Sequence, residues 1–183
     1  MVLLAGTMPL AAQVAVDQYL NDGSRYVCSQ QEVMYDNYFH AAQFAIAANV
    51  NASGLMTFTL EVTYDEGMLH ITQGDSLVLV LRGGDRIVLK TIHDVTRADI
   101  HKRHFLTHNN YYVTCRYSMS THDVQRISRN RVTKISVQTD DFSFDRKLDK
   151  FQDRFRRLFN NLYRHLMGNN RGLWVILQDT ICL

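Results

Sequence analysis

The chain has 183 residues, the size of one ordinary domain, and is 46% apolar and 10% aromatic, which excludes disorder and supplies a full core. Its 20 basic and 18 acidic residues leave a net charge of +2, which excludes a strongly basic nucleic-acid binder and an acidic tail. One proline, nine glycines and three cysteines exclude a linker-rich chain, a disulfide scaffold and a four-cysteine zinc module.

Residues 1–12 are a signal-peptide-like segment. Val2 to Leu10 are apolar or small, and Ala11, Ala12 and Gln13 follow. Such a stretch resembles the cleavage end of a secretory signal, and it is shorter than the ~20 apolar residues a bilayer span needs. The basic start of such a signal is missing, because the first basic residue is Arg25. Three readings stand: a signal whose basic start precedes this sequence, a short signal complete as it stands, or an apolar segment packed on the domain. No later segment approaches a transmembrane helix. An oxidising address lets Cys28 pair with Cys115; otherwise the cysteines act as small apolar residues.

Arg25 to Cys28 and Phe44 to Val50 are weak strand candidates, although His40 to Ala48 also suits a short helix. Asn51 to Gly54 turns into the strongest strand. There Met56, Phe58, Leu60, Val62 and Tyr64 alternate with polar residues. Asp65-Glu66-Gly67 turns, Met68 to Thr72 is a short strand, and Gln73-Gly74-Asp75 turns again. Leu77 to Leu81 is an unbroken apolar run, as in a strand covered on both faces. Gly83-Gly84 suits a two-residue hairpin loop before Ile87 to Ile92. Together these segments predict an antiparallel meander.

Five of the eight histidines fall in residues 93–122. His101, His104 and His108 share a face if their segment is helical, and neutral imidazoles near Asp94 or Asp123 suit zinc or copper. The competing reading is a polar loop, with Lys102 and Arg103 repelling a cation. Tyr111 to Met119 alternates as a strand. Tyr111, Tyr112 and Tyr117 either line a groove for a sugar or peptide, or sit at the core edge. Ser120-x-x-Asp123 is a capping box that starts a short helix to about Ser128. Ser120, His122 and Asp123 belong to that cap, since neighbours on one helical turn do not form a catalytic triad. Val132 to Thr139 is a further strand, and Asp140-Asp141 turns the chain.

Leu148, Phe151, Phe155, Leu158, Phe159, Leu162 and Leu166 form one apolar stripe, which predicts an amphipathic helix over 145–167. Asp145 is placed to cap it and Gly168 to end it. This span holds seven Lys and Arg against three Asp. Lys150, Arg154, Arg156 and Arg157 either bind an anionic membrane or another polyanion, or form a solvated face neutralised by helical neighbours. Residues 168–183 are an apolar tail of uncertain role.

These elements predict one α+β domain over 13–167. An antiparallel meander forms a curved sheet or small barrel, covered by the long C-terminal helix. The element order is similar to the pleckstrin-homology layout, an analogy of shape alone. Over residues 55–167, with Ala11–Gln13 ahead of them, the layout resembles small exported bacterial domains of unassigned activity. The resemblance implies a periplasmic or cell-envelope location and brings no catalytic residue. The expectation is a secreted binding or structural module, not an enzyme, with no cofactor and an unknown envelope ligand or protein as partner. The near-neutral charge disfavours nucleic acid.

Overall fold

A computed structural model describes residues 14–36, 41–64, 71–95, 100–105, 108–139 and 143–168. The signal-like segment, most of the strand expected at Met68–Thr72, and the tail from residue 169 lie outside the described residues.

The strands are β1 (Val14–Tyr19), β2 (Arg25–Ser29), β3 (Glu32–Asp36), β4 (Ala41–Val50), β5 (Met56–Tyr64), β6 (Ser76–Leu81), β7 (Arg86–Thr91), β8 (Ile100–Phe105), β9 (His108–Met119), β10 (Val132–Gln138) and β11 (Ser143–Lys147). Helix α1 (Thr121–Arg129) lies between β9 and β10, and α2 (Gln152–Gly168) follows a single 3-10 turn at Asp149–Phe151. All the strands join one antiparallel sheet, in the order β1-β2-β4-β5-β9-β7-β6-β10-β11. The sheet is open, with edges at β1 and β11, and is not a closed barrel.

Two long strands organise this order. β4 carries β5 along one side and β2 then β3 in series along the other. Between β2 and β3 the ladder slips, and the Ser29 hydroxyl accepts the Ile46 N–H at 2.9 Å. That bond satisfies a donor which the bulge would otherwise leave buried without a partner. β9 is used the same way: β5 lies on one side, with β8 and the end of β7 in series on the other.

The simple meander is therefore corrected. β5 pairs with β9, not with β6, and β9 inserts between β5 and β7. The reason is facial matching. Leu60, Val62 and Tyr64 stand opposite Tyr117, Cys115 and Val113, all six of them buried. The Tyr64 and Tyr117 hydroxyls hydrogen-bond each other at 3.2 Å, which makes their burial affordable.

Local signals operate as the sequence predicts in several places. The Asn51 Oδ1 accepts from the N–H of Ser53 at 3.0 Å and of Leu55 at 2.8 Å, building the turn into β5. Gly83 and Gly84 take φ of +106° and +97° between β6 and β7, values that L side chains rarely adopt. Ser120 and Asp123 form a reciprocal capping box on α1, worth about 1 kcal/mol.

The long helix begins later than the stripe suggested. Asp145 does not cap it, because residues 143–147 form β11 on the edge of β10. The Leu148 N–H continues toward β10 by donating to the Thr133 carbonyl at 2.9 Å. Asp149, at φ +30°, then breaks the extended path. From there Phe155, Leu158, Phe159, Leu162 and Leu166 are buried against one face of the sheet. Phe155 stacks on Phe44 of β4 with ring centroids 4.0 Å apart and planes 11° from parallel. Helices α1 and α2 thus cover one face of the sheet, while the other carries mixed polar and aliphatic positions, among them Val78, Val80 and Val88. Among the described residues, no helix is long and apolar enough to cross a membrane.

Candidate anion-binding surface

The basic residues of α2 are largely engaged within the protein. Arg154 pairs with Glu32 of β3 at 3.3 Å, and its guanidinium lies 4.6 Å from the centre of the Phe151 ring. Arg156 shares Asp153 with Arg131, each at 2.9 Å. Lys150 is exposed, with its ammonium 5.0 Å from the Phe151 ring centre. Arg157 is exposed. Of the four cations proposed from the sequence, Arg154 ties the helix to β3, Arg156 pairs within its own helix, and Lys150 and Arg157 are exposed.

Among the described residues, a different cationic surface forms on the side of β7, β6, β10 and β11 that α1 and α2 leave uncovered. Strand alternation sends Ile87, Leu89, Ile135 and Val137 into the core. The intervening positions Arg86, Val88, Lys90 and Lys134 belong to the opposite face. Register then aligns Arg86 with Val80, Val80 with Lys134, and Lys134 with Lys147. The next rung is Val88, Val78, Ser136 and Asp145; the one after it is Lys90, Ser76, Gln138 and Ser143.

This face carries four cations and one carboxylate. Asp145 pairs diagonally with the Lys134 ammonium at 2.6 Å. The hydrogen bond from Lys134, aided by Ser136, holds the Asp145 carboxyl below its ordinary value. The Lys90 ammonium donates to the Ser76 hydroxyl at 2.7 Å. Lys134 and Lys147 remain directly opposite each other, an arrangement that costs stability in a sheet. Arg126 of α1 leans toward the same end, its guanidinium donating to the Arg86 carbonyl at 3.3 Å. An anion laid across this face meets separate cations on three strands.

The other residues singled out in the sequence do not form one site. Tyr117 is fully buried, and desolvation pushes its phenol well above the ordinary value. It is a core residue, while Tyr111 and Tyr112 occupy β9 positions opposite Lys102 and His101. His101, His104 and His108 lie on the β8–β9 hairpin, not on a helix, so the shared helical face is absent. In the strand His101 and His104 have opposite alternation, and His108 stands across from Phe105. Among the described residues no group of three or more His, Cys, Asp or Glu gathers to hold a metal ion.

No disulfide joins Cys28 and Cys115. Cys28 aligns through Ala47 and Thr59 with Ser118, while Cys115 aligns with Val62 and Phe44. They sit three strand spacings apart, about 14 Å, and on opposite faces. A disulfide needs Cα atoms within about 7 Å. Burial also pushes the Cys28 thiol up, away from nucleophilic thiolate.

No family model, curated protein or solved structure matches this chain.

Proposed function

We propose that the protein is a binding module of the bacterial cell envelope that engages an anionic partner through the uncovered face of β6, β7, β10 and β11. The observation that carries this reading is the Lys134–Lys147 pairing in one rung with Arg86. Like charges held opposite each other repel, and an external anion converts that cost into attraction. Strand positions fix these cations on a scaffold, and the single carboxylate among them, Asp145, pairs with Lys134 and leaves Arg86, Lys90 and Lys147 in excess.

Retention on immobilised polyphosphate tests the reading. The full chain is expected to bind at low ionic strength and elute as salt rises. K134Q/K147Q elutes at clearly lower salt. Unretained wild-type protein contradicts the reading.

The envelope address rests on the apolar run to Leu10 followed by Ala11-Ala12. Protein made from its native gene is expected to have an intact mass lacking the first twelve or so residues. A mass that retains them contradicts export by signal cleavage.

A further inference from the structure

We propose that the anionic partner is a bilayer surface carrying anionic phospholipids, met face-on by β6, β7, β10 and β11; this rests on the anion-binding reading above. Three features of the face bear on the choice among polyanions. The first is its spread: cations stand on β7, β10 and β11, across three strand spacings or about 14 Å. A lateral array of headgroups matches such a two-dimensional pattern.

The second is Val88. It is 54% exposed and lies between Arg86 and Lys90 on the same face of β7. Beside it in the same rung, on β6, Val78 is buried. An exposed aliphatic side chain flanked by two cations is unfavourable in water and favourable at the headgroup boundary, where the long lysine and arginine stems reach outward to phosphates. A fully hydrated polymer gives Val88 no such environment.

The third concerns nucleic acid. None of the twelve positions in the three rungs is Phe, Tyr or Trp, so bases find no stacking platform there. Lipid phosphate requires none.

Co-sedimentation of the full chain with phosphatidylcholine vesicles, with and without phosphatidylglycerol, decides the matter. Binding is expected only with phosphatidylglycerol, and it should weaken as salt rises. Each Lys or Arg near such a surface is worth about fivefold in affinity, so K134Q/K147Q should lose about 25-fold. V88S should weaken vesicle binding about fivefold and polyphosphate binding by less than about twofold. Far-UV circular dichroism and thermal melts confirm that both variants fold.

Retention on polyphosphate without vesicle binding overturns the membrane inference and leaves the anion-binding reading standing. So does equal loss of both affinities in V88S, or tighter binding to single-stranded DNA than to vesicles. Failure to bind any of these probes overturns both.

Discussion

Phe155→Ala is expected to destabilise the protein by about 4 kcal/mol, lowering the melting temperature by about 10 °C for a chain of this size. Phe155 is fully buried and stacked 4.0 Å from Phe44. Truncation leaves a ring-sized cavity between helix and sheet, and neither a stacked aromatic nor a β-strand can collapse to fill it. Phe155→Leu keeps most of the volume and should cost only about 1–1.5 kcal/mol. Thermal or urea unfolding measures both. If Phe155→Ala melts within a degree or two of wild type, α2 does not close the sheet as described.

Asp17→Ala is expected to cost about 3 kcal/mol for a different reason. Arg25 is buried on β2, and its guanidinium is held by both Asp17 carboxylate oxygens, at 2.8 and 2.7 Å. His165 of α2 hydrogen-bonds the same carboxylate at 2.6 Å. Asp17 therefore ties the edge strand β1 to β2 and to the end of the helix. Removing it strands a buried charge, which is the costly way to break an ion pair. The double variant D17A/R25M, which removes both charges, should recover much of the loss.

The pH dependence follows from the same contact. The Arg25 hydrogen bond, opposed by partial burial, lowers the Asp17 carboxyl to about 2, below its unfolded value of about 3.9. A depressed carboxylate contributes stability above its unfolded pKa and loses it as pH falls through the folded one. Asp17 is partly solvated, so the contribution is discounted to about 1 kcal/mol. Unfolding free energies measured between pH 5 and pH 2 should show this loss in wild type and lack it in Asp17→Asn. Parallel curves for the two proteins contradict the assignment.

What the sequence made legible was local. β5 shows a clean alternation of two, β6 an unbroken apolar run, α1 a capping box, and α2 a stripe at helical spacing. Each signal lies within about 20 consecutive residues. The ambiguous stretch at 40–48 is resolved by its neighbours: its alanines favour a helix, but β5 on one side and β2 with β3 on the other claim both edges of residues 41–50. Pairing outweighs intrinsic preference.

Two of the missed strands, β1 and β8, carry no regular apolar alternation in their sequence. Every residue of β1 after Val14 is exposed, as suits an edge strand, so its alternation carries no hydrophobic signature. β8 reads Ile-His-Lys-Arg-His-Phe, which resembles a polar loop, yet it follows the far half of β9 residue by residue. Strand order was equally hidden, because the insertion of β9 depends on which apolar faces match across about 50 residues of chain.

The candidate surface was legible only in fragments. Arg86, Lys134 and Lys147 are single polar positions in three separate strands, and nothing but register places them in one rung. The dense basic run of α2 drew attention because its cations are close in sequence. Packing then gave Arg154 to Glu32 and Arg156 to Asp153. Closeness along the chain was a poor guide to which charges face solvent together.

The most direct measurement compares two paired variants in polyphosphate binding at low salt. K134E/K147E alters the sheet face, and K150E/R157E alters two exposed cations, one on the 3-10 turn and one on α2, by the same total charge. The account predicts that the first abolishes binding while the second retains most of it. Loss confined to K150E/R157E would place the anion on the helix and contradict the account.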